Sequence, residues 1–196
     1  WCLTGEGAMP YYLSDDKEGD RKLQQEAWTE VGRYVQEIDP YRRPITIHPT
    51  DAARNQVVDD SILDFDMLQT GHGGMGSLPN TTRTVRQEVA RTPHMPVVQG
   101  EVCYEGILEN SRQEVQRTMF WACILSGAGG YTYGANGIWQ LNGEEEPYGL
   151  SPHGASWGDT PWSEAAQLPG STQVGVGRAI LERYPWWQLD PHQEWV

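Results

Sequence analysis

Two glutamates stand at the predicted ends of strands, which is where α/β proteins carry much of their chemistry. Glu101 follows a short apolar run closed by Gly100, and Glu6 follows a second such run closed by Gly5. Apolar runs of this length are typical of strands buried in a parallel sheet. The side chain just beyond such a strand reaches the rim where ligands bind, because the strand holds it while the next loop shapes the pocket.

A pair of strand-end carboxylates has the residue types that glycoside hydrolysis needs. One carboxyl group protonates the leaving oxygen while the other attacks the sugar carbon, and a separation of about 5 to 5.5 Å is typical of the retaining route. The stretch between Glu6 and Glu101 is long enough for three strand and crossover units. A strand-end glutamate can also hold an arginine in a structural ion pair, so position alone leaves both roles open.

The elements that must position these glutamates follow a regular order along the chain. Strands are predicted at residues 1–6, 44–48, 65–69, 95–101 and 129–133. Helices are predicted at residues 20–38, 80–92, 111–126, 162–167 and 172–183. Short apolar strands separated by crossovers indicate an α/β fold with a parallel sheet and outer helices. Five such units are too few for a complete (β/α)8 TIM barrel, and they match its second half, strands four to eight.

The first predicted helix is marked at both ends and along one side. Asp20 is its predicted N-cap, and Asp39 with Pro40 ends it. Apolar side chains recur through it at helical spacing and form one predicted face. They are Leu23, Ala27, Val31, Tyr34, Val35 and Ile38.

Composition limits the class of protein and the partners. The chain has 196 residues, of which 38% are hydrophobic, enough for one globular domain. We predict the second half of a barrel domain at residues 1–190, and a tail or the start of a linker at 191–196. The net charge of −13 disfavours nucleic acid and anionic membranes, because phosphate binding needs clustered Lys and Arg. The chain opens inside a predicted strand, so we expect it to be part of a longer protein.

Aromatic and cysteine usage adds two further expectations. Nine Trp and nine Tyr against two Phe is a skewed set, and amphipathic rings stack on sugars, although any one of them can simply fill the core. Several lie in a predicted loop at 134–161, which is long enough to be functional. Cys2, Cys103 and Cys123 lack metal or redox spacing and are predicted to be buried free thiols.

Two histidines and a third glutamate are further candidates for the site. His48 ends the second predicted strand, and His72 follows the third. With Asp51 they could ligate a metal, but no short-spaced ligand pair is present, so hydrogen bonding to the substrate or the nucleophile is favoured. Glu105 lies in the loop beyond Glu101 and is predicted to orient it or to bond a sugar hydroxyl.

Several segments resemble the apiosidase-like glycoside hydrolases, a family of the retaining (β/α)8 clan. The most specific is Pro96 to Gly106, which reads Pro-Val-Val-Gln-Gly-Glu-Val-Cys-Tyr-Glu-Gly. Phe120-Trp121, the glycine-rich run from Ser126 to Gly134, and Gly137 to Gln140 are similar too, as are His48-Pro49 and the run from Gln69 to His72. The likeness extends from Trp1 to about Pro191.

The resemblance implies a retaining glycosidase that acts on side chains of a plant or microbial polysaccharide. It implies Glu101 as nucleophile and Glu6 as general acid and base, although the family tends to have an aspartate after Gly-Gly at the second position. It implies a set of substrate-binding side chains: His48, Gln69, His72, Glu105, Tyr131, Tyr133 and Trp139, with Trp139 as the floor under the sugar. No cofactor or metal is expected.

The same resemblance implies the protein's surroundings and leaves one other function open. A secreted or periplasmic location is implied, and apiose is the sugar that the family name suggests. The expected partners are a carbohydrate substrate and a missing N-terminal half-barrel, or a second copy bound through open sheet edges. The alternative is a sugar-binding or degenerate barrel that does no chemistry.

Overall fold

The computed structural model describes residues 1–9, 14–150 and 156–192, so residues 151–155 of the predicted loop and the last four residues of the predicted tail lie outside it. At its centre is a three-stranded parallel sheet in the order β1-β2-β3. The strands are β1 (Asp66–Gln69), β2 (Val97–Glu101) and β3 (Gly130–Tyr131). The α/β class with parallel strands and packed helices is therefore confirmed.

Within these described ranges, five α-helices accompany the sheet. They are α1 (Lys17–Ile38), α2 (Leu78–Ala90), α3 (Gln113–Leu125), α4 (Trp162–Ala165) and α5 (Pro169–Leu181). Short 3₁₀ turns lie at Ala53–Asn55, Asp60–Ile62, Gly74–Ser77, Ile107–Glu109 and Trp186–Gln188. Each predicted helix is present within a few residues of its expected bounds.

The N-cap of α1 differs from the prediction. Asp16, not Asp20, caps the helix, because its carboxylate accepts a 3.0 Å hydrogen bond from the backbone N–H of Gly19. The carboxylate of Asp20 instead accepts from the backbone N–H of Ser14 at 2.7 Å and ties the preceding loop to the helix. At the other end, α1 stops at Asp39 as expected.

The first two predicted strands pair with each other without forming regular strands. The N–H of Leu3 donates to the carbonyl of Thr46 at 3.0 Å, and the N–H of His48 donates to the carbonyl of Thr4 at 3.2 Å. Between these two segments, Cys2 and Thr46 form an isolated parallel bridge. Because Pro44 and Pro49 bracket the second segment and have no N–H, they limit the length of the ladder.

The segment at residues 44–48 also contacts the chain that enters β1. The N–H of Asp64 donates to the carbonyl of Ile45 at 2.8 Å, and the Asp64 carboxylate accepts from the N–H of Ile45 at 2.7 Å. Residues 1–7, residues 44–48 and the three strands therefore lie side by side in chain order. The buried core packs around them, with Leu68, Val97 and Cys123 in its central cluster.

Two expectations about burial are corrected. Cys103 and Cys123 are buried free thiols as predicted, but Cys2 is exposed, since it lies in the outermost segment of this row. Most of the predicted apolar face of α1 is also exposed: Leu23, Ala27, Val31, Tyr34 and Ile38 face solvent, and only Val35 packs on the core. Trp28 and Gly32 face inward instead, and a Cβ on Gly32 would lie 2.4 Å from a side-chain atom of Ile62.

Within the described part of the chain, no helix has both the length and the apolar character needed to cross a membrane.

Candidate active site

Glu101 lies at the centre of a cluster of polar side chains at the carboxyl end of β2. Its Oε2 is 2.8 Å from Nε2 of His48, and its Oε1 is 2.8 Å from Nε2 of His72. The Glu101 side chain is only 12% exposed. His48 ends the segment at residues 44–48 and His72 follows the neighbouring strand β1, so the sheet itself brings both histidines to the glutamate.

A bulge in the sheet places Gln69 directly beside Glu101. Leu68 pairs with Gln99, but the next pair along is Gln69 with Glu101, so Gly100 is the extra residue of β2. A Cβ on Gly100 would lie 2.4 Å from Cγ of Met67. Glycine at this position therefore allows β1 and β2 to pack closely where the polar cluster begins.

Gln69 joins the two glutamates through its amide group. Its Nε2 donates to Oε1 of Glu6 at 3.0 Å, and its Oε1 lies 3.0 Å from Nε2 of His48. Glu6 has a positive φ of 50°, a left-handed conformation that costs a non-glycine residue roughly 1 kcal/mol or more. The backbone is thus held in an unfavourable conformation at the residue that presents the second carboxylate.

The environment of Glu101 keeps its carboxyl group ionised. Burial alone would raise the pKa of Glu101, but hydrogen bonds from His48, His72 and Tyr104 outweigh burial and lower that pKa to about 2. The hydrogen bond between His48 and Glu101 also acts on the histidine. It raises the pKa of His48 above the ordinary value, against the effect of burial. A deprotonated carboxylate facing donor N–H groups is therefore the stable arrangement.

Two aromatic residues beside the cluster were not among the predicted site residues. The Tyr104 ring lies 4.9 Å from the His72 ring, and the Trp157 ring lies 6.4 Å from it, centroid to centroid. A Cβ on Gly134 would lie 2.0 Å from the Tyr104 ring, so this glycine makes room for the tyrosine. Tyr104 is three residues from Glu101 in sequence, so its presence in the site could have been predicted. Trp157 lies in the long loop, and no local sequence pattern indicates that it contacts His72.

Glu105 and Tyr133 lie together, apart from this cluster. Glu105 is 1% exposed, and its Oε2 accepts from the Tyr133 hydroxyl at 2.6 Å and from the N–H of Gly170 at 2.8 Å. The Glu105 carboxylate therefore binds the first turn of α5 and the segment beyond β3 rather than orienting Glu101.

Two other predicted sugar-binding aromatics also lie outside the polar cluster. Tyr131 packs in the core with its ring edge-on to Phe120 at 5.6 Å. Trp139 is 43% exposed and lies 5.6 Å from the ring of Tyr148. Of these two, only Trp139 offers an accessible ring face to a ligand.

Asp51 does not join the two histidines. Its carboxylate accepts from the N–H of Ala52 and from the side-chain amides of Asn55 and Gln56, at 2.7 to 2.9 Å. Among residues 1–9, 14–150 and 156–192, no group of three His, Cys, Asp or Glu side chains has an arrangement that could hold a metal ion.

Comparison with known proteins identifies the family and the fold. The profile of the apiosidase-like catalytic domain matches residues 1–188. Two solved structures match with a TM-score of 0.71 and 24% identity: one described as a glycoside hydrolase, and a glycoside hydrolase family 5 protein from Bacteroides vulgatus. The likeness covers 92% and 93% of this chain but 42% of each of theirs. No curated protein matches the chain.

Proposed function

The chain belongs to the apiosidase-like catalytic domain family, and we propose that it carries the catalytic residues of a retaining glycoside hydrolase. Glu101 is the nucleophile in this proposal, and Glu6 is the general acid and base. The observation that carries the proposal is the nearly buried, ionised Glu101 carboxylate, bonded to two histidines and joined to Glu6 through Gln69. The proposed reaction uses no cofactor.

The proposed reaction has two steps. In the first, Oε of ionised Glu101 attacks the anomeric carbon while protonated Glu6 gives its proton to the leaving oxygen, so the glycosidic bond breaks and a glycosyl ester forms. In the second, Glu6 takes a proton from water as the water oxygen attacks the same carbon, which releases the sugar and restores Glu101. A pKa of about 2 suits Glu101 to the first step, because the nucleophile is ionised across the physiological range.

The proposed substrate is a glycosidic bond in a side chain of a plant or microbial polysaccharide. Trp157 beside His72 and the exposed ring of Trp139 support this choice, since indole rings stack on the apolar faces of sugars. Apiose is the sugar that the family's name suggests. Loops set which sugar fits, so the linkage and sugar follow from the activity test rather than from the fold.

We propose further that the five parallel segments are strands four to eight of a (β/α)8 barrel domain that ends near residue 190. Their order in space and the likeness to glycoside hydrolase structures support this assignment. A complete barrel needs three more strands, so the proposed partner is an N-terminal half-barrel that docks beside residues 1–7. Association of two copies through that open edge is the alternative.

Release of reducing sugar from pectic and other plant glycans tests the proposed activity, on this chain and on any longer protein that contains it. Glu101→Gln and Glu6→Gln should each lower turnover by roughly 10³-fold or more, because each removes a group that acts on the reacting atoms. Glu145→Gln changes an exposed loop glutamate and is the matched control, for which we expect parental turnover.

Other outcomes point to different functions. A sugar-binding protein without activity would bind the glycan equally well before and after Glu101→Gln and would release no sugar. Activity that survives Glu101→Gln contradicts the assignment of the nucleophile. Activity lost to a chelator would contradict the proposed metal-free mechanism.

A further inference from the structure

One hydrogen-bond chain runs between the two proposed catalytic carboxylates. The Nε2 of His48 faces two acceptors at once, Oε2 of Glu101 at 2.8 Å and Oε1 of Gln69 at 3.0 Å. The other end of the Gln69 amide donates to Oε1 of Glu6 at 3.0 Å. Gln69 is partly buried, and both ends of its amide are occupied by protein groups, which leaves it poorly suited to bind a sugar hydroxyl.

The direction of this chain is fixed by its charged end. Ionised Glu101 can only accept hydrogen bonds, so Nε2 of His48 must carry a proton. That proton also points at the neighbouring Gln69 oxygen, so the amide must turn its N–H₂ group toward Glu6. A flipped amide would direct an N–H donor at the His48 N–H, which is repulsive. Donation therefore runs from His48 to Gln69 and from Gln69 to Glu6.

During the first step of the proposed reaction, negative charge disappears at one end of this hydrogen-bond chain and appears at the other. Glu101 loses its charge as its oxygen bonds to the anomeric carbon, while Glu6 gains a charge as its proton leaves for the departing oxygen. The N–H of His48 then faces one neutral ester and one amide oxygen, so its bond to Gln69 strengthens. A stronger bond at the oxygen polarises the amide and strengthens its donation to Glu6, where charge is appearing.

We propose that Gln69 is a positioning residue that couples the two carboxylates and stabilises Glu6 as it becomes ionised, rather than a substrate ligand. This inference rests on the proposed function, since it assigns a role within that reaction. The effect of Gln69 on the rate is largest when the leaving group needs a proton from Glu6 and smallest when the leaving group departs without one.

Gln69→Met tests the role, because methionine has a similar length and no hydrogen-bonding amide. Turnover is measured with alkyl and aryl glycosides of the released sugar whose leaving groups differ in acidity. We expect kcat/KM to fall by roughly tenfold to a hundredfold for an alkyl or weakly acidic phenol leaving group, the scale of one hydrogen bond to a charged group. For a dinitrophenyl leaving group we expect a change below about threefold.

Gln56→Met is the control for a general loosening of the fold, since Gln56 is also buried but bonds Ala8 and Asp51 instead. Any loss that it causes should be the same for every leaving group. Equal losses across all leaving groups in Gln69→Met would contradict the coupling role. A raised KM with unchanged kcat would contradict it too, because that pattern belongs to a substrate ligand.

A second measurement does not depend on turnover. The bond to Gln69 contributes to the raised pKa of His48, so ring titration of His48 by NMR should show a lower pKa in Gln69→Met than in the parent. An unchanged His48 titration overturns the inference whatever the activity. A parent with no activity on any glycoside, together with a shifted titration, would instead leave the hydrogen-bond chain intact and refute the proposed function.

Discussion

The hydroxyl of Tyr133 donates a 2.6 Å hydrogen bond to Oε2 of Glu105, and the N–H of Gly170 donates to the same oxygen at 2.8 Å. One buried carboxylate thereby joins the loop after β2, the segment beyond β3 and the first turn of α5. The negative charge also lies at a helix N-terminus, where it is favoured. Glu105 therefore holds the loop that follows Glu101 against the rest of the fold.

Gly170→Ala should destabilise the protein because of this junction. A Cβ at Gly170 would lie 2.2 Å from Oε2 of Glu105 and 2.8 Å from Cγ of Gln116, and both side chains are buried and bonded. We expect a loss of about 1 to 3 kcal/mol in the free energy of urea unfolding. Gly175→Ala lies in the same helix with nothing within 4 Å of the new Cβ, and should gain up to about 1 kcal/mol. A loss in both variants would argue for helix distortion instead.

Tyr133→Phe should weaken the same junction by removing one donor. The hydroxyl bonds a buried charged group, so we expect a loss of about 1.5 to 3 kcal/mol in unfolding free energy. Tyr34→Phe is the matched control, because Tyr34 is exposed on α1 and should change stability by less than about 0.5 kcal/mol. Equal effects of the two changes in urea unfolding would refute the buried-bond account.

The sequence was informative where a local pattern determines the structure. Apolar runs closed by Gly-Glu or by a histidine predicted where Glu6, His48 and Glu101 would be presented, because parallel segments end at one edge. Two features could not be predicted, for physical reasons. Strand pairing depends on residues that are distant in the chain, so the local sequence does not show that the ladder between residues 1–7 and 44–48 is short. A ring contact such as Trp157 with His72 depends on the path of a loop.

Helix α1 shows a further limit of periodicity. Leu23, Val31 and Tyr34 are spaced as an inward face would be, yet they are exposed, and Trp28 packs inward. Two apolar stripes share the helix, and spacing alone does not say which one the core covers. The exposed stripe lies on the helix that connects residues 1–7, where the additional half-barrel is proposed to dock, to the segment at residues 44–48.

Replacing exposed apolar side chains of α1 should leave stability unchanged. Tyr34→Ser with Ile38→Ser removes two such side chains, so we expect the free energy of urea unfolding to stay within about 1 kcal/mol of the parent. Leu68→Ala, at a fully buried position, should cost about 2 to 5 kcal/mol. A comparable cost for the α1 double variant would mean that the stripe is buried in solution.

The low pKa of Glu101 predicts a pH dependence of stability. Its folded pKa of about 2 is lower than the ordinary value of 4.5, so it contributes stability that is present above about pH 4.5 and lost as the pH falls toward 2. The contribution is about 3 kcal/mol at neutral pH. Urea unfolding of the parent and of Glu101→Gln should therefore differ most above pH 5 and converge near pH 2. A constant difference across this range would show that Glu101 is not ionised as described.

Gly134→Ala should act on the site through Tyr104. The new Cβ would lie 2.0 Å from a rigid ring, so Tyr104 must move away from His72 and Glu101. Tyr104 is one of the donors that lower the pKa of Glu101, so its displacement raises that pKa and moves the acidic limb of kcat/KM to higher pH. Gly76→Ala, where a Cβ meets nothing within 4 Å, should leave the limb unchanged. A uniform loss of activity with no shift of the limb would mean that Tyr104 only fills space beside the nucleophile.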